Sequence, residues 1–293
     1  MSAVDIFIVT YAEELPQLRV CLRSLRAHLH REDVGHILVS VNDDDPVQTK
    51  ARILAESAHL LGDLAPRLRL LDRGDFTCPD VTGYCLQQIH KLEAARHVTT
   101  DFYVCLDSKN FLVRPTAFSD LIHEGLPCYF LDPQDSQSHR VYMRNRYMAY
   151  WGLPEPYDGA LMVSMATPFV FERRLMIEML EAVEARESMP FGEAFAQKFG
   201  SQNLYSEMLV FSAFLHRHHP DLMAADGPRR TREMAVTLWG GAVDEAGLKA
   251  FVARVRQSHD TGIAGIHRRC WGADRDRLLD VLDALITSPE NAS

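Results

Sequence analysis

No apolar run in this 293-residue chain reaches the roughly 18 residues that cross a bilayer, so no membrane span is expected. The opening stretch, MSAVDIFIVTYAEE, lacks a basic leader, and its short apolar run passes into acidic residues; no secretory signal is expected either. None of Cys21, Cys78, Cys85, Cys105, Cys128 and Cys270 forms a CxxC pair, which argues against a structural zinc site. Several of them sit in apolar segments, where cysteine acts as a small buried hydrophobe. A reduced, cytoplasmic protein is therefore expected. The chain contains no GxxxxGK[ST] and no well-formed GxGxxG, which speaks against phosphate-loop NTPases and dinucleotide oxidoreductases. Positive charge is also short: 31 Lys and Arg stand against 40 Asp and Glu, a formal net charge of −9. A general nucleic-acid binder needs a basic face to release counterions, so nucleic acid is not an expected partner. A local basic pocket for a phosphorylated ligand remains compatible with this balance.

What is present is ordinary globular composition, 47% hydrophobic and 24% charged. The length suits one large α/β domain, or a nucleotide-binding half fused to a smaller half, without disulfide or metal staples. Strand and helix signals alternate over the first 130 or so residues. Strands are predicted over 5–10, 36–41, 67–71 and 102–106, with a fifth over 128–131. Between them, Leu15, Leu18, Leu22, Leu25 and Leu29 mark an amphipathic helix over 14–30, followed by helices over 47–61 and 83–98. This order predicts a mostly parallel sheet with helices on both faces, and ligands in such sheets bind at the carboxyl ends of the strands. Those ends carry Thr10-Tyr11, Asn42-Asp43, Asp72 and Asp107. The second half reads as a long aromatic and Arg-rich loop over 142–158, a strand over 161–165, and helices over 172–186, 206–218, 245–256 and 274–286.

The most informative stretch is Phe102 to Arg114, FYVCLDSKNFLVR. An apolar strand delivers Asp107 to its carboxyl end, and Ser108, Lys109 and Asn110 follow at once. A carboxylate in that place can ligate a divalent cation bridging two phosphates. A strand ending in Asp is common in α/β proteins, so the residue alone selects no function. On the third helix, Gln87, Gln88 and Lys91 fall within about one turn, beside an apolar stripe of Cys85, Ile89 and Leu92. They either reach a nucleotide or form a solvated helix face.

Read in order, four pieces resemble the GT-A glycosyltransferases, and within them a bacterial family of predicted nucleotide-sugar transferases. The opening strand runs into Thr10-Tyr11 and an acidic turn. The third helix reads GYCLQQIHKLEAA. The next strand ends in LDSKN, where the family usually has Asp-x-Asp. TPFVF (167–171) and the SEM segment (206–208) follow. The resemblance implies a GT-A-like, Rossmann-like α/β fold, with a nucleotide-sugar-binding half over 1–132 and a helix-rich acceptor-binding and closing half over 133–293. It implies a transferase that moves a sugar from a nucleotide-sugar donor to an acceptor hydroxyl, in polysaccharide or glycoconjugate synthesis. Thr10, Tyr11, Glu13, Asn42, Gln87, Gln88, Lys91, Asp107 and Ser108 are then the expected nucleotide contacts. Helix capping is the alternative for the Asn42 region.

One departure stands out. Lys109 occupies the place of the second Asp. Either Asp107 still holds Mn²⁺ or Mg²⁺, with Asn110, His259 or His267 completing the shell, or Lys109 itself neutralises the leaving phosphate and the enzyme is metal-independent. Loss of activity is a third outcome. An acceptor hydroxyl needs a base, for which Glu207 is the first candidate and Asp158 in the Tyr-Asp-Gly turn the second. Arg144, Tyr147 and Trp151 in the aromatic segment, with Thr167 and Phe169, are the expected acceptor contacts, because aromatic faces stack on sugars and Arg grips anions. A nucleotidyltransferase of the same general fold and a catalytically silent nucleotide- or sugar-binding protein remain as alternatives.

Overall fold

The first strand, β1 (Val4–Thr10), is buried along its whole length, which is why it reads as a continuous apolar run rather than an alternating one. The computed structural model describes residues 3–77, 81, 83–128, 131–132, 138–154, 162–163, 167–200, 206–223, 235–257 and 262–287. After β1 come α1 (Leu15–His28), β2 (Val34–Val41), α2 (Val47–Leu61), β3 (Leu68–Asp72), α3 (Gly83–Glu93) and β4 (Phe102–Asp107). Then follow the short strands β5 (Asn110–Leu112), β6 (Ile122–His123), β7 (Leu126–Pro127) and β8 (Leu131–Asp132), and α4 (Ser138–Tyr150). The chain continues through β9 (Met162–Val163), β10 (Phe169–Glu172), α5 (Arg173–Glu187), α6 (Phe191–Phe199), α7 (Glu207–His218) and α8 (Pro220–Met223). It closes with β11 (Val236–Leu238), α9 (Glu245–Gln257), β12 (Ile263–Ile266) and α10 (Arg275–Thr287).

The central sheet has the order β10-β4-β1-β2-β3. Its last four members pair in parallel, and β10 runs antiparallel on the edge beside β4. Alternate residues of β1 serve two different layers. Phe7 and Val9 point into a core shared with α3, α4, α5, α6 and α7. Ile6 and Ile8 point into a core shared with α1 and α2. A second sheet, β11-β12-β5, packs with α9 and α10 into a third core around Phe111, Leu248, Phe251 and Trp271. Because β5 directly follows β4, this small sheet stands next to the carboxyl end of the large one.

The expected strand and helix order matches the observed one through β4, with helix α2 at the expected residues; the short strands β5, β6 and β7 were not expected, and of the fifth strand expected over 128–131 only Leu131 lies in a described strand, β8. The second half corrects the sequence in three places. Residues 142–158 were expected to be a loop, yet Ser138–Tyr150 is a helix. Met143, Tyr147, Met148 and Trp151 fall at steps of four, one and three, so one helix face enters the core, and the Arg and Tyr content masks that period. Residues 263–266, expected within a glycine-containing loop, form β12 between β11 and β5. Helix α6 has an apolar face of Phe191, Phe195 and Phe199 that the reading of the sequence passed over.

His90 on α3 is fully buried, stacked on Phe76 at 4.1 Å, with Nδ1 2.9 Å from the Ser40 hydroxyl. Burial, assisted by the Arg73 charge, lowers its pKa to about 3. A His whose folded pKa lies below its unfolded value stabilises the fold fully only above about pH 6.5, and the contribution is lost as pH falls toward 3. Lowering the pH from 7.5 to 5.0 is expected to cost about 2 kcal/mol through this group. His90→Gln should remove that part of the pH dependence in urea unfolding at the two pH values. Equal pH dependence in both proteins would contradict the assignment.

Candidate functional site

The strand ends open into a cleft of about 620 Å³. Its lining comes from the ends of β1, β2 and β4, from α3, from the start of α7, and from the ends of β11 and β12. Asp107 is the last residue of β4 and faces this space. Its Oδ1 lies 2.7 Å from Lys91 Nζ. Its Oδ2 accepts from Lys109 Nζ and, at 2.9 Å, from the Thr167 hydroxyl. Burial would raise the Asp107 carboxyl, but the ammonium groups of Lys109 and Lys91 outweigh it and hold the group well below the usual carboxylate range.

Lys91 is buried and bridges Asp107 to Glu207, whose Oε1 is 2.9 Å away. Burial pulls this ammonium toward neutrality, but Asp107 and Glu207 outweigh it and hold it charged. The Gln88 amide lies against the same Glu207 carboxylate, and only with its nitrogen turned toward the carboxylate are both groups satisfied. Glu207 opens α7, where Ser206 caps the helix by accepting from the Leu209 N–H at 3.2 Å. The Ser206 N–H in turn donates to the Tyr147 hydroxyl at 2.9 Å. Three elements remote in sequence are thus tied through one ammonium.

Around this centre the residues divide. Tyr11, Asn42, Gln87, Gln88, Lys91, Asp107, Lys109, Thr167, Glu207 and His267 all line the cleft. Ser108 is buried just behind it and donates to Glu14. Thr10 is fully buried and Glu13 is exposed, and neither lines the cleft. Asn42 donates to the Gly83 carbonyl at 2.9 Å, tying β2 to the start of α3. Among the expected acceptor contacts, Tyr147, Trp151 and Phe169 are buried in the core, because they lie on the inward faces of α4 and β10. Arg144 bonds the neighbouring Asn145 side chain at 3.2 Å and stands apart from the cleft lining. Asp158 and His259 lie outside the described residues.

Residues 2–239 match a family described as a family of unknown function, DUF6492. The chain belongs to the DUF6492 family. No curated protein matches it. In fold, this DUF6492 chain is similar to the galactosyltransferase LgtC in complex with donor and acceptor sugar analogues, at 14% identity over 98% of each chain and a TM-score of 0.53. An active-site mutant of LgtC aligns at 13% identity over 98% of each chain, with a TM-score of 0.55. The apo form of the bifunctional glycosyltransferase WbbM aligns at 14% identity and a TM-score of 0.51, over 99% of this chain and 50% of WbbM. These neighbours are GT-A-type glycosyltransferases, and the GT-A-like α/β fold expected from the sequence is the fold of this DUF6492 chain.

Among the described residues, the donor set around Asp107 does not fit Mn²⁺ or Mg²⁺. Such ions need several oxygen ligands with open lone pairs. Of the carboxylates on the cleft wall, Asp107 meets an ammonium on each oxygen, Glu207 pairs with Lys91, Glu14 accepts from the Ser108 hydroxyl, and Asp43 accepts from the Ala12 N–H and the Thr49 hydroxyl. Asn110 is committed as well: its Oδ1 accepts from the Asp107 N–H at 2.8 Å and its Nδ2 donates to the Thr167 carbonyl at 3.4 Å. His267 accepts from the Arg269 N–H on Nδ1 at 3.3 Å, and burial, followed by the charges of Lys109, Arg269 and Arg268, lowers its pKa, so the neutral ring has a single nitrogen, Nε2, to offer a cation. Among the described residues, no three His, Cys, Asp or Glu side chains group as metal ligands.

Among the wall residues that the sequence did not single out are Glu14 and Trp239. Glu14 lines the cleft beside Tyr11, although Glu13 was the acidic residue expected there. The short helical turn over 12–14 swings Glu14 inward and Glu13 out. Burial raises the Glu14 carboxyl, the Ser108 hydrogen bond opposes this and Asp107 adds to it, for a net upward shift. Trp239, directly after β11, is the other, and only its strand neighbours bring it near Lys109.

Lys91→Met removes the charge that lets Asp107 and Glu207 share this space. It is expected to destabilise the fold by about 3–5 kcal/mol at pH 7. Adding Glu207→Gln should recover part of that loss, so a double-mutant cycle by urea unfolding should show strong coupling. Additive losses would contradict the bridge.

Proposed function

We propose that this chain is a glycosyltransferase that moves a sugar from a nucleoside-diphosphate-sugar donor to an acceptor hydroxyl, and that lysine rather than a divalent cation neutralises the departing diphosphate. The observation that carries this reading is the pair of ammonium groups flanking Asp107 at the end of β4 in a cleft of about 620 Å³. A volume of this size is in the range of small-molecule sites. In parallel sheets a ligand binds at the carboxyl ends of the strands, the region that this cleft opens onto.

In this reading, Tyr11, Asn42 and Glu14 bound the nucleoside end, and Gln87, Gln88 and Lys91 form the helix wall. Lys109 meets the diphosphate. As the acceptor oxygen bonds the anomeric carbon and the bond from that carbon to the phosphate oxygen breaks, the hydroxyl proton passes to the departing diphosphate, and a cation already in position stabilises the negative charge growing there without reorganisation. Asp107 holds both lysines in place, and Glu207 holds Lys91. With one carboxylate paired to two ammonium groups and the other to Lys91 and Gln88, both serve positioning. The 1–132 half then supplies the donor site, and the 133–293 half closes it through Glu207, Trp239, His267 and Arg268. A cytoplasmic setting is supported by the five described cysteines, which are buried and carry thiols, and no described helix is long and apolar enough to cross a membrane. A role in bacterial polysaccharide or glycoconjugate synthesis rests on the family resemblance.

Thermal-shift measurements against UDP-, GDP-, CDP-, ADP- and TDP-hexoses should find one that stabilises the protein, equally with excess EDTA and with Mn²⁺. Lys109→Ala should lower transfer or donor hydrolysis by about 100-fold, the loss typical of removing one transition-state charge partner. Donor binding that requires Mn²⁺ would overturn the lysine assignment. Release of pyrophosphate from a nucleoside triphosphate and a sugar phosphate would instead identify a nucleotidyltransferase. Stabilisation by no nucleotide would end the enzymatic reading.

A further inference from the structure

Water-exposed indole is uncommon without a reason, and this chain has three tryptophans. Trp151 and Trp271 are 6% and 3% exposed, whereas Trp239 is 55% exposed. Trp239 is also on the cleft wall, so part of its exposed surface faces a concave site.

Its setting is built. The Leu238 carbonyl just before it accepts from the His267 N–H at 2.9 Å, and Leu238 pairs with Ile266 across β11 and β12. The small sheet therefore holds the backbone at Trp239. The His267 ring lies 5.6 Å from the indole at a 36° tilt and supports it from one side. Lys109 Nζ stands 5.5 Å from the indole centroid. Beyond Trp239 the chain is bare: Gly240 and Gly241 would place no Cβ within 4 Å of another atom, and Gly241 has φ +83°. Neither glycine carries a side chain that could cover the ring.

The chemistry this selects is specific. An indole face takes a flat apolar surface, such as the C–H face of a pyranose. An ammonium 5.5 Å away takes an anion. A ligand satisfying both at once has a sugar ring directly joined to, or lying directly against, a phosphate. A nucleobase also presents a flat face with a phosphate one ribose away, and comparing the bare diphosphate with its hexose conjugate separates that case.

We infer that Trp239 is the pyranose platform of this cleft, stacking on the sugar ring adjacent to the phosphate held by Lys109. This rests on the glycosyltransferase reading above and adds to it the residue that contacts the sugar. The expected acceptor aromatics, Tyr147 and Trp151, are core residues, and Trp239 takes the part assigned to them. The ring on the platform is either the donor's own hexose or an acceptor sugar lying against the diphosphate, and both present the same face.

Because Trp239 is the one well-exposed indole, acrylamide quenching of tryptophan fluorescence reports on it almost alone. The test compares each of UDP, GDP, CDP, ADP and TDP with its hexose conjugate, with thermal shift run in parallel as an independent reading of nucleotide binding. Greater protection by the hexose conjugate than by the bare diphosphate supports a donor-sugar platform. Equal protection that increases only when a glucoside, galactoside or mannoside is added to the diphosphate complex supports an acceptor platform. Nucleotide binding by thermal shift with no sugar-dependent protection in either arm overturns the inference and leaves the glycosyltransferase reading standing. No thermal shift with any nucleotide overturns both. In the affinity arm, Trp239→Ala should weaken the productive sugar ligand about tenfold, as expected for losing one stacked ring face, and leave the bare diphosphate within about twofold. Trp239→Phe should restore most of the loss. Equal weakening of both ligands would mean that the indole is structural.

Discussion

The buried ammonium of Lys91 is the constraint on which the rest of the site depends. Two carboxylates, Asp107 and Glu207, converge on it from β4 and α7, and α3 carries it between them. Without it, the two carboxylates would face a poorly solvated space with no cation between them. With it and Lys109, two negative and two positive groups cancel in formal charge. Buried ion pairs add little net stability because desolvation offsets attraction, but breaking one is costly. Such a bridge is better suited to setting the relative positions of three elements than to holding the fold together. The three hydrophobic cores do the latter.

The charge arrangement also explains the departure at Lys109. In an Asp-x-Asp arrangement, a metal ion brings the positive charge and two carboxylates hold it. In the proposed reading the positive charge is instead covalently part of the chain, as Lys109, and Asp107 orients it. The smaller sheet completes the site from the other direction. β12 and β11 bring His267, Arg268 and Trp239 to the cleft, and Arg268 donates to the Tyr11 hydroxyl at 3.2 Å, linking the C-terminal region to the end of β1.

The elements of the first half were legible because their signals are local. Leu15, Leu18, Leu22 and Leu25 repeat at helical spacing and are all buried on α1. The apolar run ending in Asp107 has the form of a strand buried on both faces, with its polar end at the ligand side. The second half was harder because its signals are mixed. In α4, arginines and tyrosines alternate with core residues and obscure the 3.6-residue period. β12 has four residues and includes a glycine, so it offers too short a pattern to separate from a loop.

By itself the sequence determined the alternation of strand and helix, the parallel sheet, and the arrival of Asp107 and Lys109 at a strand end, because hydrophobic period and chain order are written along one dimension. It also placed Gln88, Lys91 and Glu207 among the candidates. Only the tertiary structure decided how those charges pair, that Tyr147, Trp151 and Phe169 turn inward, and that Trp239 stands 5.5 Å from Lys109 across 130 residues of chain. The physical reason is that charge pairing and exposure depend on distances between remote segments, which packing of the layers sets and local pattern does not encode.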